Sequence, residues 1–460
     1  MTQTYYSFGL NKPKFLCLIA VLMSGFIFNF SFVQSSHADS AGVVTVCDKG
    51  CDFSTIQAAI DDENISPGAT IEITSAVHTE AGIIVNKDVI IQGQGADSTV
   101  VQAHEIAETS DERVFHITSG TELTMGGLTI KHGNPTAEPE SGGGIRNEGT
   151  LTLEDVIVRD NSASTGGGIH NEGTLSLINS SVNDNQARGG AIHYLECSTG
   201  GGIKVLTGEV KLVNSTVSNN SAIKKGGGIH VACKGSLVLI NTTISGNSAN
   251  GDGGGVFVNG VGEVTNSTIS NNSAKSGGGI YVQSKDGVDV VHGLLNVKNS
   301  IIAGNYATFE KYGVPDCFIA ENATLDVNLH NLIGDNSCNP EYYGDALLAD
   351  LSQVSSSAAV SVIAEEGESL TGHRTQVHAL LPGSQAINAI PENECAVDTD
   401  QYGLARPQGK SCDIGAYELQ QDNAGIGKYI VYIVLFMGIL IIIVASSILF
   451  LFRNRLRNIE

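Results

Sequence analysis

The chain has 460 residues with a formal net charge of −23, 55 glycines but only 9 prolines, and no tryptophan. That length suits two or three ordinary domains or one long solenoid, and high glycine with little proline disfavours a disordered low-complexity chain. The acidic excess repels nucleic acid and anionic lipid, so neither is an expected partner.

In chain order, Lys12 and Lys14 precede an apolar run from Phe15 to Val33, followed by the small-residue site Ser36-His37-Ala38. This predicts a secretory signal over 1–38, with an uncleaved signal anchor as the alternative. Residues 39–69 are expected to cap a solenoid: "CDFSTIQAAIDD" carries Ile56, Ala59 and Ile60 at the spacing of a short amphipathic helix. From 70 to 345 the chain repeats itself. A Gly-Gly-Gly unit begins at Gly142, Gly166, Gly200, Gly226, Gly253 and Gly277, with a degenerate copy at Arg188 to Ile192. An aliphatic residue comes after each, as at Ile169 and Ile203.

One asparagine series (Asn161, Asn185, Asn220, Asn247, Asn272, Asn305) mostly precedes Ser-Ala; another (Asn179, Asn214, Asn241, Asn266, Asn299) precedes Ser or Thr. The clean copies are 24 residues apart. Within each, pairs such as Leu151/Leu153 and Leu175/Leu177 alternate with polar residues, the period of a half-buried strand. Three short strands per unit describe one coil of a parallel β-helix, with about 11 coils in a rod roughly 50 Å long. Glycine suits the tight corners and asparagine the repeated turns.

Beyond a predicted C-terminal end region (346–419) and linker (420–428), Tyr429 to Phe452 is an uncharged apolar stretch of 24 residues, enough to span a bilayer. Arg453, Arg455 and Arg457 come next, so the tail 453–460 is expected to be cytoplasmic and Asp39 to Gly427 extracytoplasmic. That outer segment holds 19 basic and 47 acidic residues, a net charge of −28. Eight of the nine cysteines fall in it, which in an exported chain suggests disulfides. Sequence proximity pairs Cys47 with Cys51, Cys197 with Cys233, Cys317 with Cys338 and Cys395 with Cys412, one of 105 possible connectivities.

"FSTIQAAI…VNKDVIIQGQG" resembles the start of pectate-lyase-like right-handed parallel β-helix proteins. The GGGI and NxSA units are similar to polymorphic outer-membrane-protein repeats. The series "NSIIAGN", "PDC", "NLIG", "HALLPGSQAIN" and "DQYGLARPQGKSCDIGAYE" resembles the choice-of-anchor Q family of bacterial surface proteins, over roughly residues 43 to 419. The resemblance implies an exported right-handed β-helix, held at the bacterial cell surface by its C-terminal end, with no established chemistry.

Catalysis on such a rod needs acids one repeat apart at the same coil position. The residues offer Asp160 and Asp184, which read as a solvated turn pair, and Asp61-Asp62 at the end of the cap helix. His170, His193 and His230 come after the glycine units at similar offsets, a metal or pH-sensing line or else outward residues beside a turn. His132 and His292 echo a polygalacturonase-type histidine without its acidic partners. Asp398, Asp400, Asp413 and Glu418 are candidate calcium ligands, or a terminal cap in which Asp400 or Asp413 pairs with Arg406; the absence of EF-hand spacing favours the cap. No catalytic set and no cofactor site stands out, and "GKS" at 409–411 lacks the phosphate-loop spacing. The expected function is a non-enzymatic, membrane-anchored surface rod for adhesion, envelope structure or contact with a glycan or surface protein. The alternatives are an atypical polysaccharide lyase or glycoside hydrolase, and a passive spacer.

Overall fold

The computed structural model describes residues 42–137, 139–189, 200–283, 293–309, 314–335, 337–338, 342–343 and 375–420. The predicted signal, residues 346–374 of the predicted end region, residues 421–428 of the linker, the membrane span and the basic tail lie outside them. No helix among the described residues is long and apolar enough to cross a membrane.

Among the described residues the strand ladders are all parallel, and through the repeats each joins a strand to its counterpart in the next coil, as Ile145–Asn147 to Ile169–Asn171 and on to Ile203. This is a parallel β-helix. Among the described residues its strands form sheets of 18, 11 and 6 members. Each clean coil has four strands rather than the expected three. After Ile145–Asn147, Thr150–Glu154 and Ile157–Arg159 comes the two-residue strand Ser162–Ala163. Two hydrogen-bonded residues are too few to leave an alternating pattern in sequence. In two coils the first pair of strands fuses, giving Ile203–Val213 and Ile229–Ile240.

The interior is a stack of identical positions. Ile145, Ile169, Ile203 and Ile229 form one column, and Leu153, Leu177, Leu212 and Leu239 another, all fully buried in one continuous core. Polar ladders run beside the aliphatic ones. Asn161 donates its backbone N–H and side-chain amide to Asn185 Oδ1, and Asn185, Asn220, Asn247 and Asn272 each repeat the pattern toward the next coil at 2.9–3.0 Å. The second asparagine series does a different job. Asn179, Asn214, Asn241, Asn266 and Asn299 take positive φ at a corner, and the Ser or Thr after each points inward into a hydroxyl ladder.

The glycine triplet is a corner, with two physical causes. Gly166 has φ +59°, the left-handed region open to glycine. Gly167 instead lies against the next coil: a Cβ there would sit 2.4 Å from the Gln186 carbonyl oxygen and 2.6 Å from that of Gly201. Gly167→Ala is therefore expected to cost about 2–3 kcal/mol by overpacking, read as a lower denaturant midpoint.

At the amino end, helix Ile56–Asp61 is capped by Thr55 and buries Ile56, Ala59 and Ile60 over the open core. The Glu80 carboxylate accepts the first N–H groups of that helix, from Ile56 and Gln57. The first strand, Val43–Val46, belongs to the sheet as well as to the expected cap, and the loop closed by the Cys47–Cys51 disulfide covers its outer edge through Asp52 and Phe53.

At the other end the chain returns. Residues 375–419 lie along the outer face of the 11-stranded sheet. Gln376 and Gln401 hydrogen-bond Thr216, Gln401 takes the Thr243 hydroxyl, His378 meets Ser245, and the Ala416 N–H reaches Thr268. Ile301 and Leu332 face outward, yet join Leu380, Ala386, Ile390 and Ile414 in a second core. The outward Thr-x-Ser pattern, which meets polar groups of this segment at Thr216, Thr243 and Thr268, turns to Ile-Ile-Ala and Leu-Ile-Gly where the segment lays Leu380, Ala386, Ile390 and Ile414 on the sheet instead. Disulfides join Cys317 to Cys338 and Cys395 to Cys412. Cys197 lies outside the described residues, as does the Cys233 side chain.

Candidate functional site

In the strands just after the glycine corner, the middle residue points away from the core. Registers align these residues over eight consecutive coils: His116, Arg146, His170, Lys204, His230, Phe257, Tyr281 and Phe318. All eight are basic or aromatic, in a chain with only 25 Lys and Arg, and the row starts one coil earlier at Ile84. His170 and His230 thus share a row, as two of the three aligned histidines; His193 lies outside the described residues. Both are buried although their strands turn them outward.

The basic end is a built cluster. Asn147 and Asn171 are in register, so Glu148 and Glu172 come one coil apart just after them. The Arg146 guanidinium lies between, donating Nε to Glu148, Nη2 to Glu172 and Nη1 to the Ser141 hydroxyl, each at 2.7 Å. His116 Nε2 sits 3.3 Å from Glu148 and His170 Nε2 3.3 Å from Glu172. The two glutamate side chains are 29 % and 30 % exposed. Burial works to raise the Glu148 pKa, but the hydrogen bond and charge of Arg146 outweigh it and the net shift is downward. The His170 hydrogen bond leads in lowering Glu172, with Arg146 helping against burial. Burial depresses both His116 and His170 despite their glutamates. At neutral pH the cluster therefore holds two carboxylates, one guanidinium and two neutral imidazoles.

This is the paired-acid arrangement that catalysis on a solenoid calls for, but at Glu148 and Glu172. The duplicated "NEGT" at 147–150 and 171–174 was its signal. Its chemistry does not suit glycoside hydrolysis, which needs one carboxyl kept protonated as general acid. Here both are held ionised. Asp160 and Asp184 occupy equivalent left-handed corners; Asp160 pairs with Arg159, and Asp184 accepts from Asn183. Asp61 accepts from Gln57 within the cap helix, and Asp62 accepts from Asn64. His132 meets the His104 carbonyl, and His292 is outside the described residues.

Further along the row the rings contact one another. His230 meets Phe257 edge-on at 4.9 Å, Phe257 stacks on Tyr281 at 5.4 Å, and Tyr281 on Phe318 at 4.7 Å. Lys225 Nζ lies 4.6 Å over the Phe257 ring.

The acids of the terminal segment face inward. Asp400 accepts N–H groups from Tyr402, Leu404 and Glu418, and Asp413 accepts them from Asn388 and Leu419. Glu418, not Asp400 or Asp413, is the ion-pair partner of Arg406, at 2.9 Å; Arg406 reaches Asp413 only through its backbone carbonyl. Asp400 and Asp413 spend their oxygens on turn N–H groups, whereas Glu418 accepts the Gln408 and Asp413 N–H groups and the guanidinium together. Asp398 is exposed. Among the described residues no three His, Cys, Asp or Glu are grouped to hold a metal ion.

Two stretches, 214–232 and 266–283, match the Chlamydia polymorphic membrane protein repeat. No curated protein matches the chain. Among solved structures, pectate lyase Pel9A is similar at 14 % identity and TM-score 0.47, covering 82 % of this chain and 96 % of that one. The A-module of the Azotobacter vinelandii mannuronan C-5 epimerase AlgE6 is similar at 19 % identity and TM-score 0.34, covering 63 % and 89 %. The Aspergillus niger pectin methylesterase is similar at 14 % identity and TM-score 0.28, covering 67 % and 91 %. The chain is thus a parallel β-helix by its strand registers. It carries repeats of the polymorphic membrane protein type in two of its coils.

Proposed function

We propose that this chain is a non-enzymatic bacterial surface rod, anchored in the membrane by 429–452, that contacts glycans through the wall bearing the His116-to-Phe318 row. The observation that carries the reading is one face with a partly exposed Arg–Glu–His cluster at one end and the half-buried rings of Tyr281 and Phe318 at the other, with His230 and Phe257 buried between them. Guanidinium and carboxylate groups offer planar hydrogen-bonding partners for sugar hydroxyls, and rings offer apolar edges. The repeat matches support a surface protein, and the sequence resemblance to choice-of-anchor Q proteins supports the anchored topology.

The test is a glycan and matrix array probed with the full-length chain in mild detergent. Binding is expected, and Arg146→Ala is expected to weaken it at least tenfold, about 1.4 kcal/mol. Silence across the panel, or unchanged binding by the variant, would sink the proposal. A passive spacer would also tolerate deletion of two whole coils without loss of function.

Lys204 between His170 and His230 favours a second reading, a polysaccharide lyase with lysine as base. Its side chain belongs to a residue only 1 % exposed, which keeps a polymer from the ammonium in this conformation. Unsaturated products or new reducing ends from acidic polysaccharides, with or without calcium, would establish the enzyme.

A further inference from the structure

We propose that Asp316 is a pH-operated latch on the last coils of the rod, closed when its carboxyl is protonated and loosened when it is ionised. In the six preceding corners the third glycine of the triplet leaves no room for a side chain. A Cβ on Gly279, for instance, would lie 2.7 Å from the Asn305 amide nitrogen. Strand pairing sets Ile280 beside Cys317, so Asp316 stands in the next coil where Gly279 stands. From there its side chain reaches the asparagine ladder. Asn305 donates to Asp316 Oδ1 both its backbone N–H, at 3.0 Å, and its side-chain amide, at 2.9 Å. These are the bonds that each earlier asparagine gives to another asparagine. A neutral amide column thus receives a titratable group, 3 % exposed.

The charged neighbour is Asp335, which opposes ionisation, although its backbone N–H favours the carboxylate. Asp335 also holds Ser337, whose hydroxyl receives the Cys317 N–H, and Cys317 is bridged to Cys338. The latch therefore touches the strand Cys317–Ile319 and the turn 335–338 together.

Burial raises the Asp316 pKa most, from 3.8 to about 6, with the Asn305 hydrogen bonds opposing. The folded chain binds the proton more tightly than the unfolded one. Stability is therefore gained as pH falls from about 6 to 3.8, and is lost as pH rises back through that window. The separation corresponds to about a hundredfold in the local opening equilibrium.

Amide hydrogen exchange on the full-length chain between pH 4 and 7.5, corrected for intrinsic rates, tests this. Protection of Asn305 and Cys317–Ile319 should fall by up to about a hundredfold across the window, while the core strand segment Leu123–Met125 stays flat. Asp316→Asn should keep the acceptor and abolish the pH dependence. Asp335→Asn, which leaves Asp316 in place, should move the wild-type transition to lower pH. Flat protection in the wild type, or a transition that survives Asp316→Asn, would overturn the latch. So would an Asp335→Asn chain titrating like wild type.

Discussion

Asn220→Leu is expected to destabilise the rod by about 4 kcal/mol. Asn220 is fully buried. Its carbonyl oxygen accepts the Asn185 N–H and side-chain amide, both at 3.0 Å, and its own amide donates to Val182 O and Asn247 Oδ1, both at 2.9 Å. Leucine has nearly the same shape but strands two donors on one side and withdraws one from two acceptors on the other. Each buried orphan costs about 1–3 kcal/mol, and water cannot enter a coil packed on both sides. The denaturant midpoint should drop, and exchange protection should collapse first at Asn185 and Asn247. The neighbouring residue is the control. Asn219 sits at φ +55°, and Gly246 fills the equivalent corner one coil on. Asn219→Gly is therefore expected to change stability by no more than about 0.5 kcal/mol. Equal effects from the two substitutions would refute the separation of ladder and corner asparagines.

That separation marks how far the sequence could be read. Period-two leucines at Leu151/Leu153 and Leu175/Leu177, and the 24-residue recurrence, were enough for coils, strands and corners, because each coil repeats the same steric problem. The cap helix was legible from Ile56, Ala59 and Ile60 for the same kind of reason: local spacing fixes one buried face. The two asparagine series looked alike, since a left-handed corner and an inward amide both select asparagine. Glu148 and Glu172 were hidden because the repeat does not say which residue leaves the core; that depends on the register of Asn147 on Asn171. The return of 375–419 onto Thr216 and Thr243 was hidden more deeply. It joins residues up to 185 positions apart, and the only trace is Ile301 and Leu332 standing where threonine stood before.

Arg406→Met is the change that should release that returning segment, at a cost of about 3–5 kcal/mol. The Arg406 side chain is fully buried, donates to Glu418 and to the carbonyls of Asp413 and Gly415, and organises the turn from which Ala416 reaches Thr268. Methionine fills much of the volume but leaves the Glu418 carboxylate in a site where burial already works against its charge. The loss should be local: exchange protection falls over 375–419 and beneath it at Thr216, Thr243 and Thr268, while Ile145–Asn147 is unaffected. The Cys395–Cys412 disulfide keeps the loop closed, so the segment lifts as a unit rather than unravelling. Adding Glu418→Gln to Arg406→Met should recover a large part of the stability, because the dominant cost is a stranded charge and not lost packing. If the double variant is as unstable as Arg406→Met alone, the backbone carbonyls of Asp413 and Gly415, and not Glu418, are what Arg406 holds in place.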